Sequence, residues 1–373
     1  MTKKTSRREK GITLIALIVT IIVLLILAGV TINLAVSNQG IFNKAKTATR
    51  AYKNASENEQ TGLDEADKEI ESYLPGVRYK DAKGVTQTLT KDTPAGTKIG
   101  TTENISGKDG ETGVNLDWYL FDVSDDGKTA YLVSTPTYWV PDTTKEVSRA
   151  WVPKLVSNYD SNTTAMSQAI KKSTSSVTYT PSANTLSYYK NVNSQWSAQR
   201  GSKEFASLNE NEQAACYLAD ADIFAGIKDQ VNNAEGNLKG KIQTLVGGAS
   251  AEQWCKAYNK QSAAKDHQIT CEYRATSVPG YIYKVNDKQS TISNNDYYTG
   301  TNTIFGNDIY GAANNNENKT NNPFYNNSWW WLASPSSLSS NLVCIVNGDS
   351  STLSRNYSYI SYRRFSLFAS VAL

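Results

Sequence analysis

The stretch Trp118-Tyr119-Leu120-Phe121-Asp122-Val123-Ser124-Asp125-Asp126-Gly127-Lys128-Thr129-Ala130-Tyr131-Leu132-Val133-Ser134 decides the fold of the larger part of this chain. Two runs rich in aromatic and aliphatic side chains flank a Ser124–Gly127 turn, which predicts a β-hairpin. Working outward, helical patterns fall near Ser161–Lys172, Asn209–Asn232 and Ala251–Tyr258, and from Trp329 onward the chain reads as short strands and turns. Residues 76–115 are rich in Gly, Thr, Lys and Asp, with the alternating piece Val85–Leu89, and predict an extended linker or a first hairpin. Asn314–Asn327 holds eight Asn and predicts an exposed loop. Strands mixed with separate helices give an α+β head.

With 373 residues, 39% of them hydrophobic, the chain can bury one large or two ordinary cores. The net charge is +3, but Lys3, Lys4, Arg7, Arg8 and Lys10 against Glu9 place +4 before residue 11, which leaves about −1 for the rest. A basic nucleic-acid-binding surface therefore has no compositional support, and no nucleic acid is expected as a partner. Only one His (His267) is present, so an imidazole-based catalytic or metal centre would have to be built around it. Twenty-two Tyr and eight Trp against two Met is the bias of a binding surface.

The N-terminal region reads differently. From Ile12 to Val30 runs ITLIALIVTIIVLLILAGV, whose only polar members are Thr13 and Thr20. As a helix it spans roughly 28 Å against a hydrocarbon core of about 30 Å, which predicts a transmembrane helix. The basic flank predicts a cytoplasmic N-terminus and everything after Val36 outside. Ala45, Ala48, Ala51, Tyr52 and Ala55, then Leu63, Ala66, Ile70 and Tyr73, extend the helical spacing into a stalk that Pro75-Gly76 ends. An ordinary secretory signal with cleavage near Ala28-Gly29 is the competing reading.

The basic stretch ending in Lys10-Gly11, followed by Ile12-Thr13-Leu14-Ile15-Ala16, resembles the class III leader of type IV pilins and pseudopilins. That resemblance implies cleavage between Gly11 and Ile12 by a prepilin peptidase, retention of the helix, and other pilins as partners. Ile12 and Ala16 stand where the family usually carries Phe and Glu.

A second resemblance lies at the other end. Trp329-Trp330-Trp331-Leu332-Ala333-Ser334-Pro335, Val343–Val346 and Phe365–Leu373, with the hairpin Trp118–Ser134, resemble the frame of a bacterial domain related to the C-type lectin-like fold. The expected fold class is thus α+β, with a long N-terminal transmembrane and stalk helix followed by a C-type lectin-like head. The expected division is 1–11 leader, 12–74 transmembrane and stalk helix, 75–114 linker or first hairpin, and 115–373 head.

Between the frame strands, Ser334–Tyr362 is dominated by Ser, Asn and Tyr. Tyr gives rigid contact area while Ser and Asn adapt their hydrogen bonds, the mixture that antibody loops use. Solvent-facing turns alone also explain the Ser and Asn. In C-type-lectin-like proteins varied by diversity-generating retroelements, the C-terminal strands carry such a patch. The candidate ligand-binding residues are Ser336, Ser337, Ser339, Ser340, Asn341, Leu353, Arg355, Asn356, Tyr357, Tyr359, Tyr362 and Arg363. Trp329–Leu332 and Phe365–Leu373 are expected to be buried beneath them.

No catalytic residue emerges. His267 follows Lys265-Asp266 in a polar stretch and reads as a surface histidine, and no nucleophile motif, P-loop or G-x-G-x-x-G is present. The acidic clusters Asp64–Glu71, Asp122–Asp126 and Asp220–Asp222 read as solvated faces. An EF-hand loop is absent, and no metal or cofactor is expected. Cys216, Cys255, Cys271 and Cys344 have no C-x-x-C spacing; outside the cell they allow disulfides in three connectivities. Three functions remain open. The first is a membrane-anchored or pilus-associated extracellular adhesin that binds a protein or glycan. The second is a minor pseudopilin of a secretion, pilus or DNA-uptake machine. The third is a surface enzyme related to the formylglycine-generating enzymes, for which Cys271 and Cys344 would be the residues to examine.

Overall fold

The computed structural model describes residues 14–36, 41–73, 76–106, 113–147, 150–159, 165–170, 208–260, 269–285, 329–347, 352–358, 360 and 363–373. The chain divides into two units, 1–74 and 75–373.

In the second unit, alternation of buried and exposed positions builds the first sheet. Strands β1 (Arg78–Lys80) and β2 (Thr86–Thr88) form a small hairpin, followed by β3 (Lys98–Ile105), β4 (Val114–Val123) and β5 (Thr129–Ser134). The predicted hairpin is β4–β5, antiparallel with Trp118 opposite Ser134 and Val123 opposite Ala130. Its turn closes where Ser124 N–H donates to the Thr129 carbonyl and Gly127 N–H to the Ser124 carbonyl.

Next come β6 (Tyr138–Val147) and β7 (Ala150–Val156), a two-stranded ribbon, and the short helix α3 (Met166–Ile170). Helices α4 (Glu210–Ala219) and α5 (Ala225–Asn233) precede β8 (Ile242–Val246), and α6 (Ala251–Asn259) follows it. Strands β9 (Ile269–Arg274) and β10 (Gly280–Val285) pair as a hairpin. Strands β11 (Trp329–Pro335), β12 (Leu342–Asn347) and β13 (Thr352–Tyr357) form an antiparallel sheet. The last strand, β14 (Phe368–Ala372), inserts between β5 and β8, so the main sheet has the order β3-β4-β5-β14-β8.

The C-terminal residues are therefore core. Phe365, Leu367, Phe368, Ala369 and Val371 are buried together with Trp118, Leu120 and Leu132. Phe365 stacks on Trp139 at 4.8 Å, and Phe368 meets Phe121 edge-on at 5.3 Å. Burying such side chains is worth about 1.5–3 kcal/mol each. Trp118 can be buried because its indole N–H donates to Thr102 Oγ1 at 3.0 Å. Trp330, Trp331 and Leu332 are also buried, whereas Trp329 and Leu373 are half-buried and Ala372 is exposed.

The helical pattern Asn209–Asn232 is two helices rather than one. A capping box between Asn209 and Glu212 starts α4, and the Asp220 carboxylate accepts from Asp222 N–H at 3.0 Å. That local bond turns the chain through 221–224 before α5 begins. In α6, Ser250 and Gln253 form a second capping box, close to the predicted boundary.

The N-terminal expectation is corrected. One transmembrane and stalk helix over 12–74 was expected; the structure instead has α1 (Leu14–Val36) and α2 (Ile41–Tyr73). Among the described residues no helix is long and apolar enough to cross a membrane. The described side chains of α1, from Leu14 to Val30, are apolar apart from Thr20. They are exposed. The fold is thus a mixed helix and strand architecture with a short exposed N-terminal helix, in place of the expected spanning helix with a lectin-like head. Gly11 and Ile12 lie outside the described residues.

Candidate ligand-binding face

The turn between β11 and β12 carries Ser336, Ser337, Ser339, Ser340 and Asn341, and it is held from beneath. Asn211, fully buried at the start of α4, donates through its side-chain amide to the Ser336 carbonyl at 2.6 Å and the Ser339 carbonyl at 2.8 Å. Its own backbone N–H donates to the Ser340 carbonyl at 2.8 Å. One residue of α4 therefore satisfies three carbonyls of the turn.

Strand β10 closes the other side. Ser337 N–H donates to the Tyr281 carbonyl at 3.2 Å, and a short bridge joins Tyr281 and Ser336. Gly280 lies so close that a Cβ there would meet the Ser336 carbonyl carbon at 2.5 Å, so this position admits only glycine without displacing the turn. Tyr281 is buried and its hydroxyl donates to Glu252 at 2.9 Å. Within the turn, Ser339 Oγ donates to Asn341 Oδ1 at 2.7 Å and Leu342 N–H to the Ser339 carbonyl at 3.2 Å.

What this arrangement leaves at the surface is narrow. Ser340 is exposed, Leu338 is 40% exposed and Tyr357, at the end of β13, is 42% exposed. Ser337, Ser339, Asn341, Arg355 and Asn356 are half-buried. Leu342 pairs with Tyr357 across β12 and β13, and Ser358 N–H donates to the Asn341 carbonyl, so the turn and the end of β13 are neighbours. The Ser358 hydroxyl donates to the Glu210 carboxylate at the first turn of α4.

The remaining predicted residues are elsewhere. Leu353 is fully buried, facing Val346 in the sheet, and Ser336 is buried in the turn it anchors. Arg363 is buried with its guanidinium 4.3 Å over the Trp329 ring. Neighbouring Arg364 lies 4.1 Å over Tyr138 and donates to its hydroxyl at 2.9 Å. These arginines pack on aromatic faces through cation–π contacts. Tyr359 and Tyr362 lie outside the described residues, as do His267 and the Asn-rich segment 314–327.

Sequence reasoning missed Asn211, because nothing local marks a residue whose partners lie more than a hundred positions away. It also missed the role of Ser334, whose hydroxyl accepts from Ala251 N–H at 2.9 Å while Ala333 N–H donates to the Ala249 carbonyl. The Ala-Ser pair of the WWWLASP stretch therefore ties β11 to the N-terminus of α6.

Two acidic groups behave oppositely. Asp220 is buried, and burial pushes its carboxyl up to about 7. The expectation of a solvated acidic face at Asp220–Asp222 thus fails at Asp220. Asp125 is exposed, and its hydrogen bond to Lys256 lowers its pKa. Among the described residues no group of acidic, Cys or His side chains is arranged to hold a metal ion. All four cysteines stand as thiols.

No protein-family model matches the chain, no curated protein matches it in sequence, and no solved structure matches its fold.

Proposed function

We propose that this protein is an extracellular binding protein of the adhesin type, whose 75–373 unit recognises a protein or glycan through the Ser336–Asn341 turn and the adjoining end of β13. The observation that carries the reading is the buried Asn211 amide, which fixes the turn's backbone while Leu338, Ser340 and Tyr357 remain exposed. A rigid backbone beneath a Ser/Tyr surface lowers the entropy lost on binding. Exposed apolar side chains from Leu14 to Val30 support attachment of the first unit to a membrane surface or to pilin-like neighbours.

Tyr357 is the proposed anchor, because exposed aromatics dominate binding hot spots. The test is a protein and glycan array probed with the full chain, followed by Tyr357→Ala on whatever is captured. Loss of about 2 kcal/mol, roughly thirtyfold in affinity, is expected. A Tyr357→Ala protein that folds and binds like the parent, while substitutions on another surface abolish binding, would contradict the proposal.

A further inference from the structure

Away from that face, an open groove between α6 and β9 is lined by Glu252, Cys255, Lys256, Lys260, Thr270 and Cys271 among others. Two of its residues are thiols on different elements, Cys255 on α6 and Cys271 on β9, and both line this one groove. Cys255 is buried on α6, while Cys271 on β9 is only partly so. Cys344 also stands near Cys271, but it is fully buried in β12 with its thiol donating to the Pro335 carbonyl at 3.6 Å. Cys216 is buried on α4.

We infer that Cys255 and Cys271 are a dithiol arranged to close into a disulfide that staples α6 to the β9–β10 hairpin. Of the three connectivities that four cysteines allow, only the one containing this pair joins two thiols that line one groove. The inference is independent of the proposed ligand-binding face.

The chemistry of the site makes closure slow at neutral pH and faster at alkaline pH. Burial, the neighbouring Cys255 and Cys344 thiols and the Glu252 carboxylate push the Cys271 thiol well above its usual range, so it is held neutral. A neutral thiol is a poor nucleophile and a poor metal ligand. A disulfide carries no charge, so the same burial does not oppose it.

The oxidant is a low-molecular-weight disulfide, RSSR. One protein thiolate attacks it, forming a mixed disulfide and releasing one RSH. The second thiolate then attacks the protein sulfur of that mixed disulfide and expels the second RSH. Two protein S–H bonds are lost, one S–S bond forms between Cys255 and Cys271, and RSSR is reduced to two RSH. Because each step needs a thiolate, the exchange quickens as pH rises. The bond closes a loop of about fifteen intervening residues, enough to constrain the unfolded chain.

The test treats the full chain with oxidised glutathione at alkaline pH, blocks remaining thiols with N-ethylmaleimide after denaturation, and maps the digest by mass spectrometry. The expected result is a peptide joining Cys255 to Cys271, Cys216 and Cys344 recovered as blocked thiols, and a melting midpoint raised by a few degrees (about 2–4 °C per kcal/mol for a domain of comparable size) that dithiothreitol reverses. Cys344→Ser should leave the cross-link intact. A glutathione adduct that persists on Cys271, a Cys271–Cys344 link, or four blocked cysteines after oxidation would each overturn the inference. Cys271→Ser should abolish the link; should that variant fail to fold by circular dichroism, the map of the parent protein decides alone.

Discussion

The Asp122–Asp126 segment, the end of β4 and the turn after it, and the turn Ser336–Asn341 between β11 and β12 are both short and polar, yet they are held from opposite sides. The first is gripped from outside by α6: Lys256 Nζ lies 2.7 Å from Asp125, and Lys260 Nζ lies 2.7 Å from Asp122 and 2.9 Å from the Val123 carbonyl. The second is gripped from inside by Asn211. Exposed ion pairs are worth about 0–1 kcal/mol, whereas stranding a buried hydrogen-bonding group costs about 1–3 kcal/mol. The acidic residues follow the same divide, Asp125 lowered by a lysine at the surface and Asp220 raised by burial. Depth of the anchor, and not residue type, sets what each polar group contributes.

The largest effect that would sharpen this contrast is at Asp220. Its folded carboxyl titrates at about 7, against 3.8 for an ordinary Asp. Between these values the native state holds a proton that the unfolded chain has released, so stability falls as pH rises from about 4 to 7 and the full penalty is reached above 7. At full ionisation that penalty is on the order of 4 kcal/mol. Asp220→Asn keeps an acceptor for Asp222 N–H and should unfold at higher urea than the parent at pH 8, with little difference at pH 4. Parallel behaviour of the two proteins across that range would break the burial argument.

Asn211→Ala comes next. It strands the Ser336 and Ser339 carbonyls and should cost about 2–3 kcal/mol in urea unfolding, unaffected by salt. The smallest effects belong to the surface grip. Lys256→Ala and Lys260→Ala should each cost less than about 1 kcal/mol, and the difference should shrink in high salt. Lysine variants that destabilise as much as Asn211→Ala would erase the distinction between the two turns.

The reach of the sequence follows the same divide between local and distant causes. The β4–β5 hairpin was legible because alternation and turn chemistry are local, and α6 because its apolar positions recur at helical spacing. The burial of Trp330, Trp331 and Phe365–Val371 was expected from the resemblance to a lectin-like frame. The break at Asp220 was not, since a helical spacing continues through it and only the side-chain bond to Asp222 N–H shows the turn. For the same reason acidic residues at 220–222 read as solvated. At the N-terminus, apolar length suggested a spanning helix, whereas among the described residues no helix is long and apolar enough to cross a membrane. In the candidate face, Tyr357 and Ser340 stood out by type, but Leu353 and Arg363, chosen on the same pattern, are packed inside by the sheet and the Trp329 ring.

The central claim is that the Ser336–Asn341 turn is fixed from within by Asn211, and amide hydrogen exchange on the full chain tests it most directly. The Ser336, Ser337 and Leu342 amides, which donate to Leu342, Tyr281 and Ser339 carbonyls, should be protected in the parent. In Asn211→Ala they should exchange at least tenfold faster, while β4 and β5 amides such as Leu120 keep relatively greater protection. Ser336, Ser337 and Leu342 amides that exchange in the parent as fast as an unstructured peptide, or that keep their protection without Asn211, would contradict the account.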